Sequence, residues 1–317
     1  MVFNNLYSRE LQTVDAALSE AALLCRSVQE RVAITKGDRS PVTIADFGSQ
    51  ALVCRTLREA FPNDPIIAEE DSTLLRADEQ VELREILGQH LEMIRSGTSL
   101  TSALKWIDYG NAETYSDRFW TLDPIDGTKG FLRKGHFAVA LALIVEGEVA
   151  VAGLACPKLD QNIFLAAKGC GARRGKFPLR VSTTEDIEYA RICESVESSH
   201  SAHKDVQRVV EHLGIAAKRK RLDSQAKYAV VASGDAEIYM RLPTRGDYIE
   251  RIWDHAAGAL LLTEAGGKVT DCTGKELDFS CGKGLEHNCG IIGTNGKIHG
   301  EIIEALKTLN LGQSLQE

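Results

Sequence analysis

Two acids three residues apart, Asp123 and Asp126, carry the clearest chemistry in the sequence; they lie in the stretch WTLDPIDGT, residues 120–128. Pro124 fixes its own φ and presses Asp123 toward an extended conformation, and Gly127 permits a tight turn after Asp126. Such a loop can fold both carboxylates and the Ile125 carbonyl toward one point. Oxygen-only donors of this kind select Mg²⁺, Ca²⁺ or Mn²⁺ over zinc. Gly127 and Thr128 then offer backbone N–H groups to a phosphate at the start of a helix. Asp, Pro and Gly are also the commonest turn residues, so DPIDG taken alone reads as a plain turn. The balance shifts because an aromatic-apolar strand precedes it, Thr128 follows it, and three more acid-bearing segments exist: PVTIAD (41–46), IIAEED (66–71) and IWDHAAG (252–258). In three of the four segments an apolar stretch delivers the acid at its end, where α/β proteins place their sites. The bland alternatives are that Asp46 and Asp254 are helix N-caps and that Glu69 is a solvated strand end.

These acids need elements to position them. Leu11, Val14, Leu18, Ala21, Cys25 and Val28 recur at intervals of three and four, which predicts an amphipathic helix from Glu10 to Glu30. A second helix is expected from about Asp46 to Ala60, then a turn at 62–65 and a short buried strand, Ile66–Ala68, ending in Glu69, Glu70 and Asp71. Residues 72–118 are polar and partly helical. The strand Phe119–Leu122 runs into DPIDGT, and Phe137–Val145 and Glu148–Cys156 form a hairpin across Glu146-Gly147. Ile163–Ala167 is a further strand. Beyond Pro178 short strands (191–195, 236–242, 291–294) alternate with helices (about 202–213, 225–233, 254–265, 298–309), the texture of an α/β layer domain. The expected organisation is therefore an α+β domain over residues 1–178 and an α/β domain over 179–317, tightly packed because no linker separates them.

The formal net charge of −8 disfavours a nucleic-acid backbone as partner, while leaving room for a small anion where cations reverse the local field. The one basic run, Lys218 to Arg221, has no interleaved aromatics and reads as a solvated loop. No apolar run approaches the roughly 18 residues of a membrane span, and acids scattered through the first twenty residues argue against a leader peptide. The eight cysteines include no C-x-x-C pair, and no two histidines stand at zinc-ligand spacing, so reduced, buried thiols in a cytoplasmic protein are expected.

WTLDPIDGT followed by WDHAAG and EAGG resembles the Mg²⁺-dependent, lithium-sensitive phosphatases of the inositol monophosphatase and fructose-1,6-bisphosphatase superfamily, from about Leu11 to Leu309. The stretches DGTKGFLR, ESVESSH, LDSQAKY and IYMRLP are similar to the branch that hydrolyses 3′(2′),5′-bisphosphate nucleotides. The resemblance implies a layered αβαβα sandwich and removal of the 3′-phosphate of adenosine 3′,5′-bisphosphate (PAP), and of its sulfated counterpart PAPS. It implies two to three Mg²⁺ ions held by Glu69, Asp123, the Ile125 carbonyl, Asp126 and Asp254, with lithium as inhibitor. Asp46 matches the acid that holds a further Mg²⁺ and, with Thr128, orients the attacking water. Ser224, Lys227, Arg241 and His200 match residues that hold the nucleotide, with His203 three residues on as the alternative to His200. Ala68 stands where the family usually has Gly, and His136 where a residue like Gln is common. The rival readings are the same chemistry on an inositol phosphate and a non-catalytic metal- or nucleotide-binding regulator.

Overall fold

The computed structural model describes residues 6–28, 33–37, 41–113, 116–160, 162–197, 202–244 and 248–312. Helix α1 (Ser8–Ser27) buries the stripe Leu11, Val14, Leu18, Ala21 and Cys25. The helix ends at Ser27, where Val28 is an extended C-cap, short of the expected Glu30; residues 29–30 lie outside those described. Strands β1 (Ala33–Thr35) and β2 (Pro41–Thr43) form an antiparallel pair. Helix α2 (Ile44–Ala60) starts two residues before Asp46, because Thr43 is its N-cap and Asp46 closes a capping box at its third position. Next come β3 (Ile66–Ala68) and three helices in the stretch of weak sequence signal: α3 (Thr73–Arg76), α4 (Val81–Ile94) and α5 (Leu100–Asp108). Strand β4 (Arg118–Asp126) runs four residues past the expected end at Leu122 and is followed by the short α6 (Thr128–Leu132).

Strands β5 (Ala138–Val145) and β6 (Glu148–Ala155) form the expected hairpin, with Glu146 (φ 52°) and Gly147 (φ 79°) at its tip. Strands β7 (Ile163–Ala167), β8 (Ala172–Arg174) and β9 (Phe177–Pro178) complete a seven-stranded sheet ordered β3 to β9, in which only β3 and β4 run parallel. After it come β10 (Ile192–Ser195), α7 (His203–His212), β11 (Lys220–Leu222), α8 (Ala226–Ala232), β12 (Ile238–Arg241), α9 (Ala256–Glu264), β13 (Lys268–Thr270), β14 (Ile291–Thr294) and α10 (His299–Thr308). Their strands form a second sheet ordered β11-β10-β12-β14-β13, with β10 parallel to both neighbours.

The two sheets and three helix layers stack as an αβαβα sandwich. Period-two alternation sets the layers: along β5, Val139, Leu141 and Leu143 face the core shared with α1 and α2, while Ala138, Ala140 and Ala142 face α8 and α9. Helix α9 lies between the sheets and from Ala256 to Leu262 is apolar on every side, as a helical stretch without a solvent face must be. Alanines on β5, and Ala256, Ala257 and Ala259 on α9, keep that layer thin. Val206 and Val209 of α7 and Ile302 and Leu306 of α10 cover the outer face of the second sheet. Among the described residues no helix is long and apolar enough to cross a membrane.

The basic run 218–221 is solvated, with Lys218, Lys220 and Arg221 exposed, but it is a loop only at 218–219. Lys220 and Arg221 form part of edge strand β11, and Arg219 and Arg221 bond the two oxygens of the fully buried Glu194 at 3.1 and 2.8 Å. A carboxylate on a central strand requires such partners, so the run balances a buried charge.

Gly153 on β6 marks the closest seating of α1: a Cβ there would meet Val14 Cγ1 at 2.3 Å and Leu18 Cδ1 at 2.6 Å. Gly153→Ala is expected to lower the urea midpoint at constant m-value, at a cost of about 1–3 kcal/mol. An unchanged midpoint would contradict that seating.

Candidate metal and phosphate site

Asp123 and Asp126 are three apart, and on a regular strand they would face opposite sides of the sheet. The register with β5 shifts between them: Asp123 pairs with Ala140 and Asp126 with Ala138, so β4 carries one extra residue. Leu122 and Ile125 consequently both lie in the core against α1 and α2, and both acids turn to the opposite face. Pro124 sits inside the irregular step, where its missing N–H costs no ladder bond. The Asp123 carboxylate accepts from the Ile125 N–H at 3.1 Å, which fixes the loop. Gly127, at φ 85°, makes the left-handed turn that opens α6.

Asp46 is fully buried beneath this loop. Its Oδ2 accepts from the Thr43 N–H at 2.7 Å and the Thr43 hydroxyl at 2.6 Å, and its Oδ1 lies 3.2 Å from the Thr128 hydroxyl. That hydroxyl is also 3.1 Å from the Ile125 carbonyl. Glu69 follows β3, the parallel neighbour of β4, and its N–H donates to the Leu122 carbonyl at 3.2 Å. Lys36 bonds Glu69 at 3.1 Å and also pairs with Glu70.

The second sheet supplies the opposite wall. Asp254 ends a 3₁₀ turn, Ile252–Asp254, and α9 begins two residues later, so Asp254 is not its N-cap. Gln225 joins the walls: its N–H donates to Asp126 at 2.6 Å, its side-chain amide donates to the Trp253 carbonyl at 2.8 Å, and its amide oxygen accepts from the Gly258 N–H at 2.9 Å. Arg241, at the end of β12, bonds Glu250 at 2.7 Å and lies 3.8 Å from Asp254. Glu250 also meets His255 Nε2 at 3.1 Å, and His255 Nδ1 meets the Tyr228 hydroxyl at 3.0 Å. Lys227 is buried, gives two of its donors to the Leu222 and Ser224 carbonyls at 3.3 and 2.7 Å, and stacks on Tyr239.

Glu69, Asp123, Ile125, Asp126, Gly127, Thr128, Ser224, Gln225, Lys227, Arg241, Glu250 and Asp254 line one cavity of about 580 Å³. All the expected site residues therefore meet there or, for Asp46, directly behind it, except at the histidines. His200 lies outside the described residues; His203 opens α7 and does not line the cavity. Lys36, Glu70, Gln225, Glu250, His255 and Tyr228 escaped the sequence reading. The Glu69-Glu70 pair hinted at Glu70, but the partners of buried charges have no fixed spacing.

The electrostatics are those of crowded acids. Burial, then repulsion from Glu69, Asp126, Asp254 and Asp46, pushes Asp123 well above the ordinary carboxylate range. Burial raises Asp254 well above that range despite Arg241, and raises Asp126 despite Lys227. Asp46 is pushed up to about 7 and Glu70 to about 8, burial leading in both. Burial lowers Lys227 to about 8. Such acids gain most from a multivalent cation, and their donors are all oxygen, the preference of a hard ion. The Ile125 carbonyl adds a neutral donor, with one lone pair left beside its Thr128 bond.

The sequence profile of the inositol monophosphatase family matches residues 8–311. A 3′(2′),5′-bisphosphate nucleotidase of Emericella nidulans is 40% identical, covering 95% of this chain and 98% of its own. That of Schizosaccharomyces pombe is 38% identical, covering 94% and 95%. Among solved structures, an IMPase of Thermotoga maritima superposes with a TM-score of 0.69 at 24% identity, covering 95% of this chain and 98% of its own, a likeness of fold.

Glu250 yields a pH test. Burial alone would raise its pKa, but Arg241 and then His255 outweigh burial and hold it at about 2, below its ordinary 4.5. A depressed carboxylate stabilises the fold above its unfolded pKa and loses that contribution as pH falls through the folded one. In chelator, Glu250→Gln is expected to unfold about 3–5 kcal/mol more easily than the parent at pH 7. That gap should close between pH 4.5 and about 2. A gap independent of pH would show that charge pairing with Arg241 is not what Glu250 contributes.

Proposed function

The chain belongs to the inositol monophosphatase family, and from that premise we propose a Mg²⁺-dependent phosphomonoesterase that converts PAP to AMP and also acts on PAPS. The observation that carries this reading is the one cavity in which an acidic wall, Glu69, Asp123, Asp126 and Asp254, meets buried Lys227 and partly buried Arg241. A substrate with one phosphate needs only the acids and their cations. A second phosphate gives Lys227 the anion it lacks, and Arg241, already paired with Glu250, adds directional bonds from its remaining N–H groups. Nearly full-length likeness to bisphosphate nucleotidases supports the same choice. The division into residues 1–178 and 179–317 is proposed as two domains that share this cavity, since the strands of one sheet end at Pro178 and those of the other begin at Ile192.

Members of this family are typically magnesium-dependent and lithium-sensitive. Glu69, Asp123, the Ile125 carbonyl, Asp126 and Asp254 would hold two to three ions, with Asp46 contributing to the last. When bound, Mg²⁺ supplies Lewis-acid activation of water and neutralises charge during in-line displacement. The Thr128 hydroxyl, set between Asp46 and Ile125, accepts a proton from the attacking water as its own passes to Asp46. The N–H groups of Gly127 and Thr128 hold phosphoryl oxygens as charge redistributes. Ser224, at φ 69°, and Lys227 orient the rest of the nucleotide.

Phosphate release from PAP, inositol 1,4-bisphosphate and inositol 1-phosphate, each with and without Mg²⁺, tests the reading. The highest kcat/KM is expected on PAP; a preference for an inositol phosphate would transfer the same chemistry to that substrate, and no release would end the enzymatic reading. Asp126→Asn is expected to lower kcat roughly a thousandfold, the several kcal/mol of charge stabilisation at stake. Near-normal kcat at saturating Mg²⁺ would remove Asp126 from the ligand set. For Lys227→Ala, kcat/KM on PAP should fall at least about tenfold while inositol 1-phosphate is spared. Equal losses would show that Lys227 does not read the second phosphate.

A further inference from the structure

We propose that Asp278, Cys281 and His287 form a second metal site, separate from the acidic cavity, that takes a borderline-soft divalent cation of the zinc class. Their ligand atoms lie within 4.8 Å of one another. Cys281 Sγ is 3.5 Å from His287 Nδ1 and 3.9 Å from Asp278 Oδ2, and Nδ1 is 2.7 Å from that oxygen. Around tetrahedral Zn²⁺, with Zn–S about 2.3 Å and Zn–N about 2.0 Å, neighbouring ligand atoms stand about 3.3–3.6 Å apart. The sulfur–nitrogen pair already has that spacing, and the oxygen needs to move by about half an ångström. All three atoms point at one place, as ligands do and as a nucleophilic triad does not: Asp278 and Cys281 approach the same ring nitrogen, whereas a triad uses opposite nitrogens.

The surroundings support ligation. The Ser280 N–H and hydroxyl both bond Asp278 Oδ1, at 3.0 and 2.5 Å, which leaves Oδ2 aimed at the other two ligands. His287 is exposed and the other two are partly exposed, so an ion has an open path and water can complete the coordination. An exposed Asp–His pair alone contributes little to stability. The donor set differs in kind from the acidic cavity: sulfur and nitrogen against oxygen only, so the two sites select different ions. On binding, Cys281 releases its thiol proton to solvent and His287 binds through a deprotonated Nδ1, its proton staying on Nε2.

The loop is tied to the cavity wall. Ile252 N–H donates to the Lys283 carbonyl at 3.2 Å, Leu285 N–H donates to the Glu250 carbonyl at 2.8 Å, and Arg251 bridges antiparallel to Gly284. The ligands thus span a segment hydrogen-bonded to the residues that lead into Asp254.

Cobalt(II), titrated into the full chain in a large excess of Mg²⁺, distinguishes the two sites, because only thiolate ligation gives a sulfur-to-cobalt charge-transfer band in the near ultraviolet. The band is expected to saturate at one cobalt per chain, to vanish in Cys281→Ser, and to need roughly tenfold or more cobalt in His287→Ala. Zn²⁺ should bleach it stoichiometrically. No band in the parent chain would overturn the proposal, as would a band that survives Cys281→Ser, which would place ligation on another thiol. Circular dichroism of both variants matching the parent excludes misfolding as the cause of loss.

Discussion

Like charge gathered in a buried place is the constraint on which this fold is organised. Asp46, Asp123, Asp126 and Asp254 feel one another and Glu69 through low-dielectric surroundings, and burial and repulsion together raise their carboxyls. A chain free to relax would separate them. Backbone geometry prevents that: Asp46 is held by a capping box, Asp123 by the N–H two residues on, and Asp126 by the N–H of Gln225. Asp46 and Asp123 are thus fixed by bonds that strengthen their local elements, and Asp126 by a bond that joins the two halves.

The same bonds explain why two sheets make one site. The extra residue in β4 turns Asp126 toward the layer of α8 and α9, and Gln225, next to α8, meets it there. Gln225 also grips Trp253 and Gly258 on either side of Asp254. One residue, through its backbone N–H on one side and its side-chain amide on the other, therefore fixes the distance between acids from the two halves. The thin alanine layer between β5 and α9 is what permits that approach, because larger side chains there would move Asp254 outward.

Much of this was legible in the sequence, and the failures have identifiable causes. Periodicity found α1, α2, the β5–β6 hairpin and the alternation of the second half, because each buries one face. DPIDG announced a bend, yet the strand runs on through it, since a bulge keeps the ladder while shifting parity; spacing alone carries no parity. Residues 72–108 hold three helices whose buried stripes are narrow, α4 burying only Leu87 and Leu91, so their signal was faint. The pairing of Arg219 and Arg221 with the buried Glu194 is not legible in the sequence, because Glu194 lies 25 residues before Arg219. Asp278, Cys281 and His287 escaped a search for paired Cys or paired His, since a mixed set becomes visible only when a loop folds.

The cations of the cavity are balanced unequally, and that inequality bears on what the site recognises. Arg241 has the buried carboxylate of Glu250 at bonding distance, so its charge is matched within the fold. Lys227 has two carbonyls and an aromatic face but no carboxylate at salt-bridge distance among the described residues. Burial accordingly lowers its pKa to about 8. Keeping an ammonium in such a place costs stability unless an anion compensates it, just as the neighbouring acids favour a cation. A phosphate ester that arrives with divalent ions answers both demands at once: the ions screen the acids, and the anion restores the preference of Lys227 for its charged form. An isolated nucleoside answers neither. The site therefore selects for charge on the ligand before it selects for shape, which is the order of discrimination a phosphatase with small, polar substrates requires.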